Sequence, residues 1–281
     1  MKYLLLTTLL LPLYLFAQQD SLPPNGHYFT AQDGTRIYYE VQGTGMPVIL
    51  VHGFMNNGNN WKRTPLYDTL LKSGFKVITL DLRGNGRSDK PHTDAAYAND
   101  AEAKDIMQLA DLLHLPSYNV VGYSRGSIIT ARLLVLDKRI ASAVIGGMGE
   151  QFTNPEWPRR IQFYHALAAD TVAALHDMVS NAKKNGLDIQ ALAYQQKEQP
   201  STSAAELAKV HVPVAVICGD KDSANGNGAM LAKMIPGALF MTVPGEHNTA
   251  WGTKEFAEKV VGFLSHKGML NHSNTEGPAV H

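Results

Sequence analysis

A serine stands between two glycines in the stretch Gly122-Tyr123-Ser124-Arg125-Gly126. The apolar run 118–121 before it predicts a buried strand, and the apolar residues of 128–136 after it predict a helix. A chain that passes from strand to helix within one residue strains the backbone there, and glycines two residues before and after relieve the crowding. The serine hydroxyl is then presented on a tight turn with a helix N-terminus behind it. The stretch therefore predicts a serine nucleophile.

Such a serine needs a base to remove its proton, and a carboxylate must hold that base in the correct tautomer. In sheets of this kind the chain order is nucleophile, acid and histidine, each on a loop after a strand. The chain contains 11 histidines. His247 is the best placed of them, because it follows the predicted strand 239–243 directly after a loop with proline and glycine. We therefore predict His247 as the base.

Two neighbouring aspartates compete for the role of acid after the predicted strand 213–218. Asp220 comes immediately after a glycine, where the capping of a turn is a common role for aspartate. Asp222 lies two residues further out, where its side chain can reach the next loop, so it is the preferred acid. Glu150 is a third candidate, because it follows the strand after the nucleophile.

His52 also follows a predicted strand, but it precedes Ser124 in the chain, which indicates a structural role. The adjacent Gly53-Phe54 indicates a loop that aims a backbone N–H at an oxyanion. In this interpretation Phe54 supplies one N–H group and Arg125 supplies the second from the start of the helix.

The rest of the chain predicts the elements that position these residues. Strands alternate with helices at the spacing of βαβ units, which predicts an α/β fold with a mostly parallel eight-stranded sheet and helices on both faces. An antiparallel hairpin is predicted at 27–41, and helices are predicted at 61–72 and at 253–265. The alternation stops between 151 and 207, where only helices are predicted, at 157–168, 171–184 and 189–197. We expect this segment to form a helical cap over the carboxyl ends of the strands.

The cap carries two features that bear on substrate. Its apolar residues have helical spacing and either roof a pocket or pack against the sheet; they are Trp157, Phe163, Tyr164, Leu167 and Met178. Its paired basic residues, Arg159-Arg160 and Lys183-Lys184, either contact an acidic substrate or form a solvated helix face.

The N-terminus predicts export. Lys2, an apolar run over 4–16 and Ala17 before a polar stretch have the pattern of a secretory signal peptide cleaved after Ala17. The run is too short for an ordinary membrane span, so we expect a periplasmic or secreted protein without a stable membrane span after cleavage. An uncleaved anchor is the alternative.

The predicted organisation of the whole chain has six parts. They are a signal peptide at 1–17, a linker at 18–26, a first core segment at 27–150, the cap at 151–207, a second core segment at 208–266 and a disordered tail at 267–281.

Composition excludes several classes of function. The formal net charge is zero, so no global field attracts nucleic acid. The one cysteine, Cys218, forms no intrachain disulfide and is predicted to be a small buried core residue. No cluster has metal-ligand spacing. The stretch 84–89 lacks the third glycine of a dinucleotide loop, which excludes nucleotide binding. We therefore expect no metal and no cofactor.

Together these motifs resemble the α/β-hydrolase superfamily, specifically its single-domain esterases, lipases and related serine hydrolases with a helical cap. The resemblance runs from 27 to 265 and is carried by five stretches in the family's order: His52-Gly53-Phe54, 81–88, 122–126, 219–222 and 245–247. It implies Ser124 as nucleophile, Asp222 as acid and His247 as base, with oxyanion donors at Phe54 and Arg125. Relatives that cleave carbon–halogen bonds or open epoxides carry aspartate at the nucleophile position, so the serine argues against both activities.

The function expected from the sequence is that of an exported serine hydrolase. It would cleave a small-molecule carboxylic ester through a Ser-His-Asp triad and an acyl-enzyme. The same triad also serves thioesters, lactones, peracids and certain carbon–carbon bonds, and a non-catalytic binding module on the same fold is a further alternative. The oligomeric state stays open.

Overall fold

A mostly parallel sheet of eight strands forms the centre of the molecule. The computed structural model describes residues 22–272, with side chains as far as Ser265. The strands are β1 Gly26–Thr30, β2 Arg36–Gln42, β3 Pro47–Val51, β4 Lys76–Leu80, β5 Tyr118–Tyr123, β6 Ile140–Gly146, β7 Val214–Gly219 and β8 Leu239–Val243. Their order is β1-β2-β4-β3-β5-β6-β7-β8, and only the β1–β2 and β2–β4 pairs are antiparallel. The predicted fold class and the N-terminal hairpin are confirmed.

Helices cover both faces of this sheet. They are α1 Pro65–Lys72, α2 Ala101–Leu112, α3 Arg125–Leu136, α4 Pro158–Ala169, α5 His176–Lys184, α6 Ile189–Lys197, α7 Ala204–Leu207, α8 Gly228–Lys233, α9 His247–Ala250 and α10 Lys254–His272. The unbroken apolar sequence of β3 supplies apolar side chains to both faces of the sheet, because successive side chains of a strand point to opposite sides. Ile49 and Val51 pack with α2 and α3, whereas Val48 and Leu50 pack with α1 and α10.

Four helices, α4 to α7, occupy the stretch between β6 and β7 where the cap is predicted. The first three of them, α4 to α6, share a small hydrophobic cluster formed by Ala166, Leu167, Val179, Leu192 and Ala193. Phe54 and Met55, from the loop after β3, pack against this cluster. The cap is therefore attached to the loop that carries one of the predicted oxyanion donors.

Several predicted helix bounds are wrong. The helix predicted at 61–72 is a 3₁₀ helix, Gly58–Arg63, followed by α1. Pro65 explains the division, because proline suits the first turn of a helix and has no N–H with which to continue an earlier one. The last helix, predicted to end at 265, runs to His272, into the predicted tail. Gly268 does not stop it, since one glycine costs only about 1 kcal/mol in a helix.

Three predicted segments lie partly or wholly outside the described residues. These are the signal peptide at 1–17, the first part of the linker at 18–21 and the remainder of the predicted tail at 273–281. Between 22 and 272, no helix combines the length and the apolar character needed to cross a membrane.

Candidate active site

Ser124 lies on a strained turn between β5 and α3. Its backbone has φ 54° and ψ −125°, a region that non-glycine residues rarely adopt, at a cost of about 1–3 kcal/mol. The turn is held because Ser124 donates its N–H to the Gly146 carbonyl at 2.8 Å. A Cβ on Gly126 would lie 2.2 Å from the Val51 carbonyl oxygen, and one on Gly122 would lie 2.4 Å from the Gly126 oxygen. Neither position has room for a Cβ, so both must be glycine.

This crowding predicts the effect of a single methyl group. We expect Gly126→Ala to destabilise the protein by about 2 kcal/mol or more, because the added Cβ meets backbone carbonyls that cannot rotate away. Gly262→Ala is the matched control: it also lies in a helix, α10, but outside the backbone of that helix its added Cβ would meet no atom of the described residues within 4 Å. It should be neutral or stabilising by up to about 1 kcal/mol. Urea denaturation measures both free energies of unfolding, and equal values for the two variants would contradict the geometry.

A continuous hydrogen-bonded chain joins the serine to a carboxylate. The Ser124 hydroxyl donates to His247 Nε2 at 2.9 Å. On the other side of the ring, His247 Nδ1–H donates to Asp222 Oδ2, also at 2.9 Å. The loop after β8 brings His247 to this position as the first residue of α9. The structure thus brings together the three side chains that the sequence singled out, from loops after β5, β7 and β8.

Asp222 is almost completely enclosed, with 3% of its side chain exposed. Burial on its own raises the pKa of a carboxyl group. Here the hydrogen bond and charge of His247, the Ala224 N–H and the Arg159 guanidinium outweigh that effect and lower the pKa of Asp222 below its ordinary value. At neutral pH the side chain is therefore an anion that can stabilise a positively charged imidazole.

The two other candidate acids have different partners. Asp220 Oδ1 accepts the Gly245 N–H at 2.9 Å, which ties the loop after β7 to the loop that leads to His247. Glu150 Oε2 accepts the Asn227 N–H at 2.6 Å. Of the three carboxylates, only Asp222 reaches the histidine.

His52 has a structural role, as predicted. Its Nε2 accepts the Leu82 N–H at 3.0 Å, which leaves the proton on Nδ1, and Nδ1–H donates to the Gly53 carbonyl at 2.8 Å. Desolvation lowers the pKa of this buried ring and keeps it neutral. Both nitrogens are occupied, so neither is available to act as a base.

The two predicted oxyanion donors, the backbone N–H groups of Phe54 and Arg125, both belong to residues that line a cavity with Ser124. Arg125 is the first residue of α3, where N–H groups have no acceptor within the helix. Phe54 donates its N–H to none of the residues that the structure describes. Both groups are therefore available to a bound oxygen atom.

The model of the alpha/beta hydrolase fold family matches residues 46–177 of the chain. This match covers β3 to β6 with the nucleophile turn, and solved structures of the same fold extend the likeness over the remaining strands. The crystal structure of a bromoperoxidase from Bacillus anthracis is 26% identical, with a TM-score of 0.71, and covers 85% of this chain and 100% of its own. The chain has the α/β-hydrolase fold.

Other relatives of this α/β-hydrolase carry names of two kinds. A non-heme chloroperoxidase from Streptomyces lividans is 33% identical over 163 residues, which are 54% of this chain and 58% of the relative. The chain thus spans little more than half of that curated relative. An esterase from Exiguobacterium antarcticum shares the fold, with 22% identity and a TM-score of 0.71 over 85% of this chain and 99% of its own.

The side chain of Arg125 connects the nucleophile helix to α2 and to the cap, a role that the sequence did not indicate. It is buried and forms a paired contact with Glu102 of α2, in which Nη1 donates to Oε1 at 2.8 Å and Nη2 donates to Oε2. Nη2 also donates to the Gln195 carbonyl of α6 at 3.0 Å. The arginine therefore links the start of the nucleophile helix to the cap, while its backbone N–H remains available at the site.

Two further residues lie against the histidine. Tyr123 donates its hydroxyl to the His247 carbonyl at 2.7 Å. The Asn225 amide nitrogen lies 3.2 Å from His247 Nδ1 and 3.4 Å from Nε2, and it donates to the Gly147 carbonyl at 3.2 Å. Tyr123 is part of the glycine-flanked serine motif. Asn225 lies in an irregular loop, where no periodicity or spacing signals its position.

Ser124 and His247 lie between two cavities in this hydrolase. The larger, of about 350 Å³, lies beneath the cap, and Trp157, Phe163 and Met178 form apolar parts of its wall. The smaller, of about 70 Å³, lies on the side of the loop after β3 and is lined by Trp61 and Trp251 among others. Of the apolar cap residues in the sequence, these three line the cavity, whereas Tyr164 and Leu167 pack inside the cap.

The remaining predictions concern the core and metals. Cys218 is buried, as predicted, and burial raises the pKa of its thiol to about 11. Within the described part of the chain, no group of three or more His, Cys, Asp or Glu side chains is arranged to hold a metal ion.

Proposed function

We propose that this α/β-hydrolase cleaves carboxylic esters through an acyl-enzyme formed on Ser124. The observation that carries the proposal is the chain of two 2.9 Å hydrogen bonds from Ser124 through His247 to Asp222. A serine with this environment is a nucleophile at neutral pH, because the imidazole removes its proton as it attacks.

In the acylation step, Ser124 Oγ attacks the ester carbonyl carbon and its proton moves to His247 Nε2. The carbonyl oxygen becomes an oxyanion, which the N–H groups of Phe54 and Arg125 would stabilise. His247, now an imidazolium, is stabilised by the Asp222 carboxylate. It then returns the proton to the alcohol oxygen as the bond between carbon and that oxygen breaks.

The second step releases the acid. Water attacks the acyl carbon, His247 accepts one proton from it, and that proton passes to Ser124 Oγ as the acyl–serine bond breaks. The sum of both steps is ester and water converted to carboxylic acid and alcohol, with the enzyme regenerated.

The two cavities support a substrate with unequal halves. Since Phe54, Ser124 and His247 line both cavities, the scissile carbonyl lies where they meet. The cavity of about 70 Å³ has room for a short group, whereas that of about 350 Å³ accommodates a larger one with apolar parts.

A second candidate follows from the names of the chloroperoxidase and bromoperoxidase relatives. If hydrogen peroxide replaces water in the second step, the same acyl-enzyme yields a peracid instead of an acid. The nucleophile, base and oxyanion donors would be unchanged, so the two activities differ only in the acyl acceptor.

A panel of 4-nitrophenyl esters of increasing acyl length, with thioester and lactone controls, tests the proposal. We expect turnover of the esters, with a preference in acyl length set by the larger cavity. Peracid formation from acetate and hydrogen peroxide is measured in parallel. Hydrolysis of lactones or formation of peracid, without cleavage of the 4-nitrophenyl esters, would contradict the primary proposal.

A further inference from the structure

The larger cavity beside Ser124 has an unbalanced charge. Among the described residues, no aspartate or glutamate lines it, whereas three arginines do: Arg125, Arg159 and Arg160. Two of these are already paired. Arg125 is bound to Glu102, and Arg160 donates to the carbonyls of Pro155, Gln196 and Lys197 at 2.7–3.1 Å.

Arg159 is different. Among the residues that the structure describes, none accepts a hydrogen bond from it or forms an ion pair with it. Its guanidinium carbon lies 4.7 Å from the centre of the Phe163 ring, in a cation–π contact. The Phe163 ring in turn packs edge to face against Phe54, with centres 5.8 Å apart. These contacts hold the cation in the cavity wall next to a predicted oxyanion donor.

The free guanidinium is also partly desolvated. Although the side chain as a whole is exposed, burial lowers the pKa of Arg159, and only the more distant field of Asp222 opposes this effect. Asp222 itself does not satisfy the arginine, because its oxygens accept from His247 and from the Ala224 N–H. The guanidinium lies at the cavity wall with no acceptor among the described residues, so it is accessible to an anionic ligand.

We propose that Arg159 is an anion-binding residue of the substrate site, and that the preferred substrate carries a carboxylate in addition to the ester group. The inference rests on the proposed esterase function and narrows its substrate class. The carboxylate would bind in the larger cavity, on the half of the substrate that extends beneath the cap. Its alkyl chain would contact Phe163, Met178 and Trp157.

A carboxylate suits this site better than a phosphate. The planar guanidinium binds both groups with two parallel hydrogen bonds. However, Arg159 is the cavity guanidinium that has no hydrogen-bond acceptor among the described residues, so the site offers one pair of parallel hydrogen bonds, which a carboxylate uses fully and a phosphate only in part. The apolar wall on the remaining sides also favours the smaller charge.

The test compares two esters of nearly equal shape. The first is the 4-nitrophenyl monoester of adipic acid, and the second is 4-nitrophenyl 6-methylheptanoate, in which an isopropyl group replaces the carboxylate. The measured quantity is the ratio of their kcat/KM values, after subtraction of the rate with Ser124→Ala. We expect wild type to prefer the anionic ester, and Arg159→Gln to lower the ratio by about tenfold to a hundredfold. Arg159→Lys should retain part of the preference.

Lys183→Gln is the matched control. Lys183 belongs to the other basic pair of the cap, is exposed and does not line the cavity, so this variant should keep the wild-type ratio. Equal ratios in wild type and Arg159→Gln would overturn the inference and leave the esterase proposal intact. The same is true if Lys183→Gln lowers the ratio as much, since the effect is then one of overall cap charge.

A binding measurement distinguishes failure of the anion-site proposal from failure of the esterase proposal. Adipate, and in a separate experiment inorganic phosphate, is titrated into two proteins in a calorimeter. One protein carries Ser124→Ala alone, and the other carries Ser124→Ala together with Arg159→Gln. Adipate binding that is lost with Arg159→Gln supports the anion site even if no ester is cleaved. An absence of adipate binding, or tighter binding of phosphate than of adipate, would overturn it.

Discussion

Ser124→Ala is expected to lower kcat for ester substrates by about 10⁴- to 10⁶-fold. The change removes only Oγ, the atom that His247 Nε2 approaches to 2.9 Å. Without it no acyl-enzyme forms, and any remaining turnover comes from the oxyanion donors and from binding alone. The measurement is kcat with the preferred ester of the panel.

The fold should be unaffected by this change. Ser124 already carries a Cβ at φ 54°, so alanine adds no strain to the turn. The thermal unfolding midpoint is therefore expected to stay within a few degrees of that of wild type. A variant that is folded and retains near-normal esterase activity would contradict the assignment of the nucleophile.

Asp222→Asn is expected to lower kcat by about 10⁴-fold. The asparagine fits the same space, but the oxygen that accepted His247 Nδ1–H can be replaced by an N–H donor. The histidine then accepts at Nδ1 and carries its proton on Nε2, where it cannot take the proton of Ser124. The negative charge that stabilises the imidazolium is also lost. The pre-steady-state rate of acylation measures the effect on this step directly.

Asp220→Asn is the matched control for this prediction. Asp220 accepts the Gly245 N–H through Oδ1, and an asparagine oxygen can accept the same hydrogen bond. We expect a loss in kcat of less than about tenfold, since the loop that carries His247 keeps its anchor. Equal, mild losses in both variants would mean that neither aspartate holds the imidazole, and a larger loss for Asp220→Asn would reverse the assignment.

The fold was predictable because its signals are local. The continuous apolar run of β3 and the alternation of strands with helices depend on nearest neighbours along the chain, and the structure confirms the sheet that they predict. The motif around Ser124 is equally local, since the clashes that require Gly122 and Gly126 arise within one turn. Errors occur at helix ends, as at Pro65 and His272, where tertiary contacts and single residues decide.

The choice of acid depends on geometry that the sequence carries only weakly. Asp220 and Asp222 have the same chemistry and lie two positions apart. The structure separates them because Asp220 points to the Gly245 N–H and Asp222 points to His247. The contact between Asn225 and the imidazole joins an irregular loop to a residue 22 positions away, and no pattern in the sequence marks it.

The role of the cap residues is the part of the site that the sequence predicts least. Arg159 and Arg160 are indistinguishable in the sequence as a basic pair. Only their surroundings show that Arg160 is bound to three carbonyl oxygens and that Arg159 lies unpaired in the cavity. The proposed substrate preference depends on this difference, which arises from the packing of α4 against α6 and not from residue type.

The most direct test of the whole account is covalent labelling by a fluorophosphonate, located by mass spectrometry. A serine that is activated by the hydrogen-bonded His247 and Asp222 attacks the phosphorus and displaces fluoride. We expect a stoichiometric adduct on the peptide that contains Ser124, absent in Ser124→Ala and formed far more slowly in His247→Ala. Folded wild-type protein that forms no adduct, or forms it on another residue, would contradict it.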